Sequence, residues 1–459
     1  MTVAADAARL AAVRVLQDVL ENGAYANLSS IRQLESRSLT ARDRAFASAL
    51  IYGTISRLPA LDYLLERVLD RPLAKLDPAV RTILRAGAWQ LYHAHAVPPS
   101  AAVNESVKLA QHLANPGAAK FVNACLRRLS APDRPELPAN KPALAAGLPS
   151  ELFGYLKKWY GRDEAIALAA AALENLATTT VRTNLCRTSA SLLQADLERE
   201  GIVSEPGLYC PEALRLDLDG RSIRALVEFQ EGLLTVQDEA AMLVAHIADP
   251  RPGWRVIDLC AAPGGKTTHV AETMKDQGQI LALDLSPSRL ALVDEQANRL
   301  GLQAIRTAAA DATSADWTQD LLGQADLVLA DVPCSGLGLL ARKPEIRLTM
   351  THEKITGLIP LQRQILQNAA TLVRPGGILV YSTCTINPDE NVHQIEQFLA
   401  SEPGETFQLE TITPYLPDAL LKDPGIAQSA AKGWIQLLPH RHHTDGFFMA
   451  RLRRQPSAG

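Results

Sequence analysis

The chain has 459 residues, of which 47% are hydrophobic, and a net charge of −4. This length predicts two or three domains, and the composition is that of a globular protein without low-complexity tracts. Residues 1–140 carry 17 Lys and Arg against 12 Asp and Glu, whereas the remainder carries 29 against 38. The mildly basic first part is compatible with contact to nucleic acid.

The first residues place Leu10, Val13, Leu16 and Leu20 at helical spacing, but charged residues interrupt them. We therefore expect neither a signal peptide nor a membrane span here. Six cysteines occur without a C-x-x-C pair, which favours a reducing cytoplasm and predicts neither a disulfide framework nor a metal site. The three histidines at 440, 442 and 443 are interpreted as part of a solvated loop.

Residues 1–140 are predicted to form an all-α domain. Apolar residues recur at three- and four-residue spacing in Leu58–Leu69, Val80–Tyr92 and Ala101–Leu113. A proline-rich linker follows at Ala131–Pro142. Residues 141–231 are predicted to be a small α+β connecting domain, with a helix over Glu164–Leu173, a strand over Thr178–Thr183 and a helix over Ser189–Arg199.

From residue 232 to residue 455 the pattern changes to strands alternating with helices. Short apolar runs at Val256–Leu259, Ile280–Leu283, Ala325–Ala330 and Ile378–Tyr381 are typical of buried parallel strands. Ser286 and Pro287 form an N-cap and first turn for a helix that ends at Leu300. This alternation predicts an α/β domain with a doubly wound parallel sheet.

Two cysteines follow two of these predicted strands, Cys334 after Ala325–Ala330 and Cys384 after Ile378–Tyr381. Because ligands bind at the carboxyl ends of the strands in an open α/β sheet, two thiols placed there indicate covalent chemistry. The alternative is that each is a small buried hydrophobic residue. The shared position at the strand ends favours the chemical role.

The segment Asp258–Thr267 (DLCAAPGGKT) joins the first of these strands to a helix. Its two glycines permit close approach of a ligand, and the helix N-terminus offers free N–H groups. Acidic residues end four strands in this domain, which suits a positively charged nucleoside such as S-adenosylmethionine better than a polyanion. The predicted cofactor contacts are Cys260, Ala261, Ala262, Pro263, Gly264, Gly265, Lys266, Asp284, Asp311 and Asp331.

Two other nucleotide-binding classes fit this turn poorly. A phosphate-binding P-loop requires glycine at the position of Cys260, and no G-x-G-x-x-G motif of a dinucleotide dehydrogenase is present.

Three segments make the chain resemble the RNA 5-methylcytosine methyltransferases, the group of bacterial ribosomal RNA enzymes called RsmB, Fmu or Sun. They are Asp258–Thr267, Asp331–Gly338 (DVPCSGLG) and Tyr381–Asn391 (YSTCTINPDEN). Gln237–Ala240 and Asp445–Phe448 also match, and residues 97–106 and 121–128 resemble the NusB-like RNA-binding domain. The resemblance implies an N-terminal NusB-like domain, a Rossmann-like methyltransferase domain and ribosomal RNA of the small subunit as substrate.

The resemblance also implies roles for the site residues. Cys384 would be the nucleophile that adds to cytosine, and Cys334 would assist proton removal and product release. Asp331 would hydrogen-bond the base, and Lys266 would either lower a thiol pKa, orient Asp331, or be a solvated helix residue. We expect a cytoplasmic monomer that uses S-adenosylmethionine and no metal. A NusB-like antitermination factor without catalysis and a DNA cytosine methyltransferase remain the alternatives.

Overall fold

The computed structural model describes residues 5–35, 39–173, 178–314 and 319–456. The chain divides into two compact units. The first comprises Met1–Leu176, Asp219–Arg221 and Leu339–Thr349, and the second comprises Ala177–Leu218, Ser222–Gly338 and Met350–Gly459.

The first unit is helical over its described residues. Its long helices begin at residues suited to that position: Asp6, Thr40, Asp77 and Asn115 accept a hydrogen bond from a backbone N–H of the first turn. The helices up to residue 171 are α1 (Ala7–Asn22), α2 (Ala26–Ser30), α3 (Ala41–Ser56), α4 (Leu58–Glu66), α5 (Pro78–His93), α6 (Pro99–Leu113), α7 (Pro116–Leu129), α8 (Pro142–Ala145), α9 (Ser150–Tyr160) and α10 (Arg162–Ala171).

The helices predicted in this part of the chain are confirmed to within a few residues at each end. Their apolar faces meet in one core, which includes Leu16 of α1, Leu50 of α3, Ile83 of α5 and Leu126 of α7. The amphipathic spacing was sufficient to predict these helices, because each helix buries one stripe of apolar residues against its neighbours.

The second unit contains two sheets. The smaller has the order β2–β3–β1–β4 and is antiparallel throughout. Its strands are β1 (Thr179–Thr183), β2 (Val203–Pro206), β3 (Ala213–Asp217) and β4 (Leu234–Val236).

The larger sheet has the order β10–β12–β9–β8–β5–β6–β7, with β11 paired to β12. Its strands are β5 (Arg255–Asp258), β6 (Gln279–Asp284), β7 (Ile305–Ala309), β8 (Ala325–Asp331), β9 (Val373–Thr383), β10 (Phe407–Leu409), β11 (Trp434–Leu437) and β12 (Phe447–Arg454). The remaining helices are α11 (Ala190–Arg199), α12 (Val227–Gln230), α13 (Glu239–Ala248), α14 (Gly265–Thr273), α15 (Pro287–Leu300), α16 (Ile346–Thr349), α17 (His352–Leu372), α18 (Val392–Leu399), α19 (Asp418–Leu421), α20 (Pro424–Ala431) and α21 (Pro439–His442).

The expectation of a parallel sheet holds for β7, β6, β5, β8 and β9 only. Strand β12 is antiparallel to β9, and β10 and β11 are antiparallel to β12. The sheet is therefore mixed. The three antiparallel strands follow the last predicted strand in the sequence. In that part of the chain short strands alternate with short helices, and the apolar periodicity is too weak to predict them.

The predicted division at residues 140 and 231 does not coincide with the limits of the two units. Helices α8 to α10 belong to the first unit, together with the distant segment Leu339–Thr349. The antiparallel sheet β1–β4 belongs to the second unit. The assignment of residues 141–231 to a separate connecting domain stays a prediction.

Candidate active site

Acidic residues end the parallel strands of the larger sheet at one edge. Asp258, Asp284 and Asp331 are the last residues of β5, β6 and β8, and Asp311 lies two residues beyond β7. Parallel neighbours end at the same edge, so the structure places all four acids where an open α/β sheet binds its ligands.

The two predicted thiols meet at this edge. Cys384 directly follows β9, Cys334 lies three residues beyond β8, and the last residue of β8, Asp331, pairs in register with Ser382. The sulfur atoms are 3.3 Å apart, and both side chains are half-buried. Residues fifty positions apart in sequence thus form one reactive pair.

The surroundings of the pair distinguish its two members. The hydrogen bond with Cys384 raises the pKa of the Cys334 thiol well above its ordinary value, and burial and the charges of Cys384 and Glu390 raise this pKa further. The protonated form of the Cys334 thiol is therefore favoured, while either sulfur can be the donor in the contact between them.

Lys266 and Asp331 form an ion pair beside the thiols. The Lys266 ammonium lies 2.6 Å from Asp331 Oδ2, Ser382 donates to Asp331 Oδ1 at 2.7 Å, and the ammonium lies 4.9 Å from the centre of the Phe447 ring. Burial lowers the pKa of Lys266, but Asp331, Cys384 and Asp258 outweigh it and raise this pKa above its usual value. Lys266 is therefore a fixed cation with a side chain only 15% exposed, rather than a solvated helix residue.

A buried carboxylate that sequence reasoning did not single out joins the two cysteine loops. Glu390, fully buried in the turn Pro388–Glu390, accepts hydrogen bonds from Ser335 N (2.8 Å) and Ser335 Oγ (2.5 Å), next to Cys334. It also accepts from Gln362 and Asn387, each at 2.9 Å. The Gln362 amide donates in turn to Pro333 O at 2.9 Å. The match of residues 381–391 to the resembled family was the available signal, but it assigned no contact to this residue.

The glycine turn before α14 is shaped for close approach of a ligand. Gly264 has φ 107, and a Cβ there would lie 3.2 Å from the Cα of Val293. A Cβ on Gly265 would meet only the Gln237 amide, at 3.9 Å, so this side of the turn is open. The first N–H groups of α14 point out of the turn, as in anion- and carboxylate-binding helix starts.

Asp258 supplies an acceptor beneath this turn. Its Oδ2 accepts from Thr267 at 2.6 Å, whereas its buried Oδ1 has no hydrogen-bond partner within the described residues. Burial, aided by the charge of Asp331 and opposed by the Thr267 hydrogen bond and by Lys266, raises the pKa of Asp258 to about 6. An unpartnered buried carboxylate oxygen suits a cationic ligand group. On these observations the residues present fit S-adenosylmethionine.

The remaining predicted contacts differ in their surroundings. Asp284 is buried, and its carboxylate accepts from Ser286 N and pairs with Arg289 at 3.2 Å. Asp311 is exposed, and hydrogen bonds from Thr313 lower its pKa. Burial and the charge of Asp258 raise the Cys260 pKa well above its ordinary value, so this third thiol is unreactive.

One interpretation from the sequence is wrong. His442 is not in a solvated loop but is 5% exposed at the end of α21, with Nε2 3.5 Å from Asp423. None of the helices in the described ranges combines the length and apolar character needed to cross a bilayer.

The mixed sheet, the glycine turn after its first parallel strand and the acid at the end of the next define a Rossmann-like methyltransferase. Residues 245–453 match the family model of the 16S rRNA methyltransferase RsmB/F, and residues 6–131 match that of the NusB family.

Relatives match nearly the whole chain. A Synechocystis protein described as a probable ribosomal RNA small subunit methyltransferase B is 37% identical, over 97% of this chain and 99% of that protein. The ribosomal RNA small subunit methyltransferase B of Pseudomonas putida is 34% identical, over 97% and 98%. The crystal structure of PH0851 superposes with a TM-score of 0.84 at 26% identity, over 99% and 100% of the two chains. The chain therefore belongs to the ribosomal RNA small subunit methyltransferase B family. The members of this family are S-adenosylmethionine-dependent rRNA methyltransferases.

Proposed function

We propose that this protein methylates carbon 5 of a cytosine in small-subunit ribosomal RNA through a covalent bond between Cys384 and the base. The observation that carries the proposal is the thiol pair at the carboxyl ends of β8 and β9, whose sulfur atoms are 3.3 Å apart. Carbon 5 of cytosine is a weak nucleophile, so a reaction there requires prior activation of the ring.

The Cys384 thiolate supplies that activation. Its attack forms a sulfur–carbon 6 bond, and the electron pair of the ring double bond moves toward carbon 5. Asp331, held by Lys266 and Ser382, would accept hydrogen bonds from the exocyclic amine of the base and from N3 in the protonated form of the adduct. S-adenosylmethionine, when bound at the glycine turn, supplies the methyl group that carbon 5 accepts.

Cys334 then completes the cycle. Its pKa is raised first by the hydrogen bond with Cys384, then by burial and by the charges of Cys384 and Glu390, and the charge of Cys384 disappears once that sulfur is bonded to carbon. Cys334 can then lose its proton to solvent and take the proton from carbon 5. The electron pair left behind restores the ring double bond and expels the Cys384 thiolate.

The substrate base must leave any helical stack to reach the thiols, which favours a single-stranded or loop cytosine. The NusB-like region would contribute RNA affinity. A monomeric state and a cytoplasmic location belong to the same proposal. A paired and differentiated thiol site favours catalysis over an antitermination factor without activity.

Substitution of each thiol tests the mechanism. Cys384→Ser should abolish methyl transfer, because a serine hydroxyl is almost never ionised near neutral pH. Cys334→Ser should let the bond to RNA form and then slow its breakdown, so that a protein–RNA complex survives denaturing electrophoresis. Cys186→Ser, which alters an exposed thiol away from the pair, is the control and should remain active.

The double variant should trap no RNA, since the trapped bond runs through Cys384. If Cys384→Ser is the variant that traps RNA, the two roles are reversed. If both variants lose activity and neither traps RNA, covalent catalysis by the pair is rejected. Bisulfite sequencing of ribosomal RNA from cells with and without the protein tests the cytosine assignment.

A further inference from the structure

A second cluster of sulfur, oxygen and nitrogen donors lies in the second unit, on residues that the proposed reaction does not use. Cys210 and Glu212 stand directly before β3, and His246 lies on α13. One donor atom from each of these three side chains lies within 4.8 Å of the others. His269, on α14, adds a second imidazole to the cluster.

Glu212 is the centre of this cluster. Its Oε1 atom lies 2.7 Å from His246 Nε2 and 3.2 Å from His269 Nε2, so two imidazoles converge on one carboxylate oxygen. Cys210, Glu212 and His269 are each at most 5% exposed, while the His246 side chain is 30% exposed. The donors are thus mostly removed from water, with His246 toward the open side.

Hydrogen bonds to a buried carboxylate fix the turn that carries Cys210. The carboxylate of Glu239 accepts hydrogen bonds from the N–H groups of Leu208 (2.8 Å), Tyr209 (2.6 Å) and Cys210 (2.9 Å). In addition, Thr183 N donates to the backbone carbonyl of Glu212 at 2.8 Å. Three backbone N–H groups bound to one buried carboxylate fix the turn that carries Cys210, which lowers the ordering cost of a ligand site.

The charge of the cluster leaves room for a cation. Arg182, the buried guanidinium nearby, is already paired with Glu272 at 2.8 Å. A divalent ion bound by one thiolate and one carboxylate would be electrically neutral together with these two ligands.

The cluster is also accessible. Glu212, His246 and His269 line a cavity of about 550 Å³, together with Thr183, Cys186 and Lys275. An ion can therefore reach Glu212 and His246 from this cavity without unfolding of the chain.

We propose that Cys210, Glu212 and His246 form a binding site for Zn²⁺ or a similar divalent transition ion, with His269 outside the ligand set as a neighbour of the Glu212 carboxylate. Sulfur, nitrogen and carboxylate oxygen are the ligands of tetrahedral zinc sites. On binding, the Cys210 thiol and the His246 nitrogen that faces the ion release any protons they carry to solvent. The ion would join the turn before β3 to α13, so its expected role is structural. The proposal departs from the expectation of a metal-free protein and does not depend on the proposed reaction.

Metal titration of the full-length protein tests the site. After treatment with a chelator, the protein should bind one equivalent of Zn²⁺ in competition with a chromophoric chelator, and Zn²⁺ but not Mg²⁺ should raise its melting temperature. Glu212→Gln and His246→Gln should each weaken binding about tenfold or more. Cys210→Ser should remove the thiolate-to-metal absorption band of the Co²⁺ form. Cys186→Ser, which changes the other thiol at this cavity, should leave both measurements unchanged.

The thiol pair Cys334 and Cys384 is a competing site for the metal, and two measurements distinguish it from the proposed site. X-ray absorption of the Zn²⁺ form should show one sulfur ligand with nitrogen and oxygen ligands, and Cys384→Ala should retain its equivalent of metal. Two sulfur ligands, or loss of binding in Cys384→Ala, would assign the metal to Cys334 and Cys384 and overturn the proposal. Absence of stoichiometric binding would overturn it as well.

Discussion

At the residue scale, the ion pair and the thiol pair of the active site act on each other through charge. Lys266 is held against Asp331, and the negative charge of Cys384 contributes to its raised pKa. By reciprocity, the fixed ammonium stabilises a thiolate at Cys384. Cys334 has the opposite surroundings, since its pKa is raised by burial and by the neighbouring sulfur. These different surroundings agree with the different tasks that the proposed reaction gives to two chemically identical side chains.

Asp258 predicts a pH dependence of stability. Its pKa rises from an ordinary value of 3.8 to about 6 in the folded protein, so the folded state binds this proton more tightly than the unfolded state. The resulting stability is fully present below about pH 4 and is lost as the pH rises through about 6. Asp258→Asn has no titrating carboxyl at this position, so its free energy of unfolding lacks this pH dependence. As the pH rises from 4 to 8, the stability of the variant relative to the wild type should therefore increase by roughly 3 kcal/mol.

Urea unfolding of both proteins between pH 4 and pH 8 measures this difference. Asp389→Asn, which alters an exposed acid, should track the wild type. A difference between Asp258→Asn and the wild type that does not change with pH would contradict the assignment.

At the scale of elements, the active site depends on how two loops are joined. Strands β8 and β9 are neighbours in the sheet, but the cysteines lie beyond their ends, in loops that the ladder does not hold. Glu390 and Gln362 connect the first loop to the second through Ser335 and Pro333. The backbone bond from Gly338 N to Cys384 O, 3.1 Å long, provides a second connection.

Glu390→Gln should therefore lower kcat by about tenfold or more with little change in KM for S-adenosylmethionine. A glutamine side chain accepts hydrogen bonds at only one atom, so one of the two donors of Ser335 loses its acceptor. Cys334 can then move relative to Cys384. Steady-state kinetics should be compared with Asp389→Asn, which alters the adjacent exposed acid. An equal loss in both variants would exclude a specific positioning role for Glu390.

Two glycines offer a matched test of packing beside the site. A Cβ on Gly338 would lie 1.8 Å from the carbonyl oxygen of Gly446, whereas a Cβ on Gly357 in α17 would meet no atom within 4 Å. Gly338→Ala should cost about 1–3 kcal/mol of stability and reduce activity. Gly357→Ala should instead stabilise by about 0.5–1 kcal/mol. Thermal unfolding and methyl transfer measure both, and a neutral Gly338→Ala would contradict this close approach.

At the scale of the whole molecule, a late segment of the chain completes the first unit. Arg347, 1% exposed, donates to the carbonyls of Ser56, Ala172 and Leu340. Leu348 packs against the helical core. Removal of the N-terminal residues would therefore leave a buried guanidinium and apolar side chains without partners. Tests of RNA binding are better made on full-length protein.

The basic end of α7 provides such a test. Arg127 is exposed, with its guanidinium donating to Asn123 at 3.1 Å, and an exposed cation at a helix end is suited to contact an RNA phosphate. If it does, Arg127→Gln should weaken rRNA binding and reduce the slope of log affinity against log salt by about one. Arg199→Gln, an exposed change in the second unit, should leave the slope unchanged. An unaltered slope in Arg127→Gln would make this residue an exposed helix end without a role in RNA binding.

The sequence by itself determined the local features of this protein. Amphipathic spacing located the helices of the first unit, and short apolar runs located β5, β6, β8 and the core of β9, because one buried face or a fully buried strand leaves a periodic pattern. The order of the cysteine motifs and the glycine turn identified both thiols and the class of cofactor.

Tertiary structure alone decided which distant residues meet. The raised pKa of Cys334 and the loop contacts of Glu390 depend on side chains brought together by neighbouring strands. The same holds for the antiparallel position of β12, the place of residues 339–349 in the first unit, and the Cys210–Glu212–His246 cluster. Such contacts join positions tens to hundreds of residues apart, so they leave no periodic pattern in the local sequence. Their free energy arises only when the folded chain removes these groups from water together.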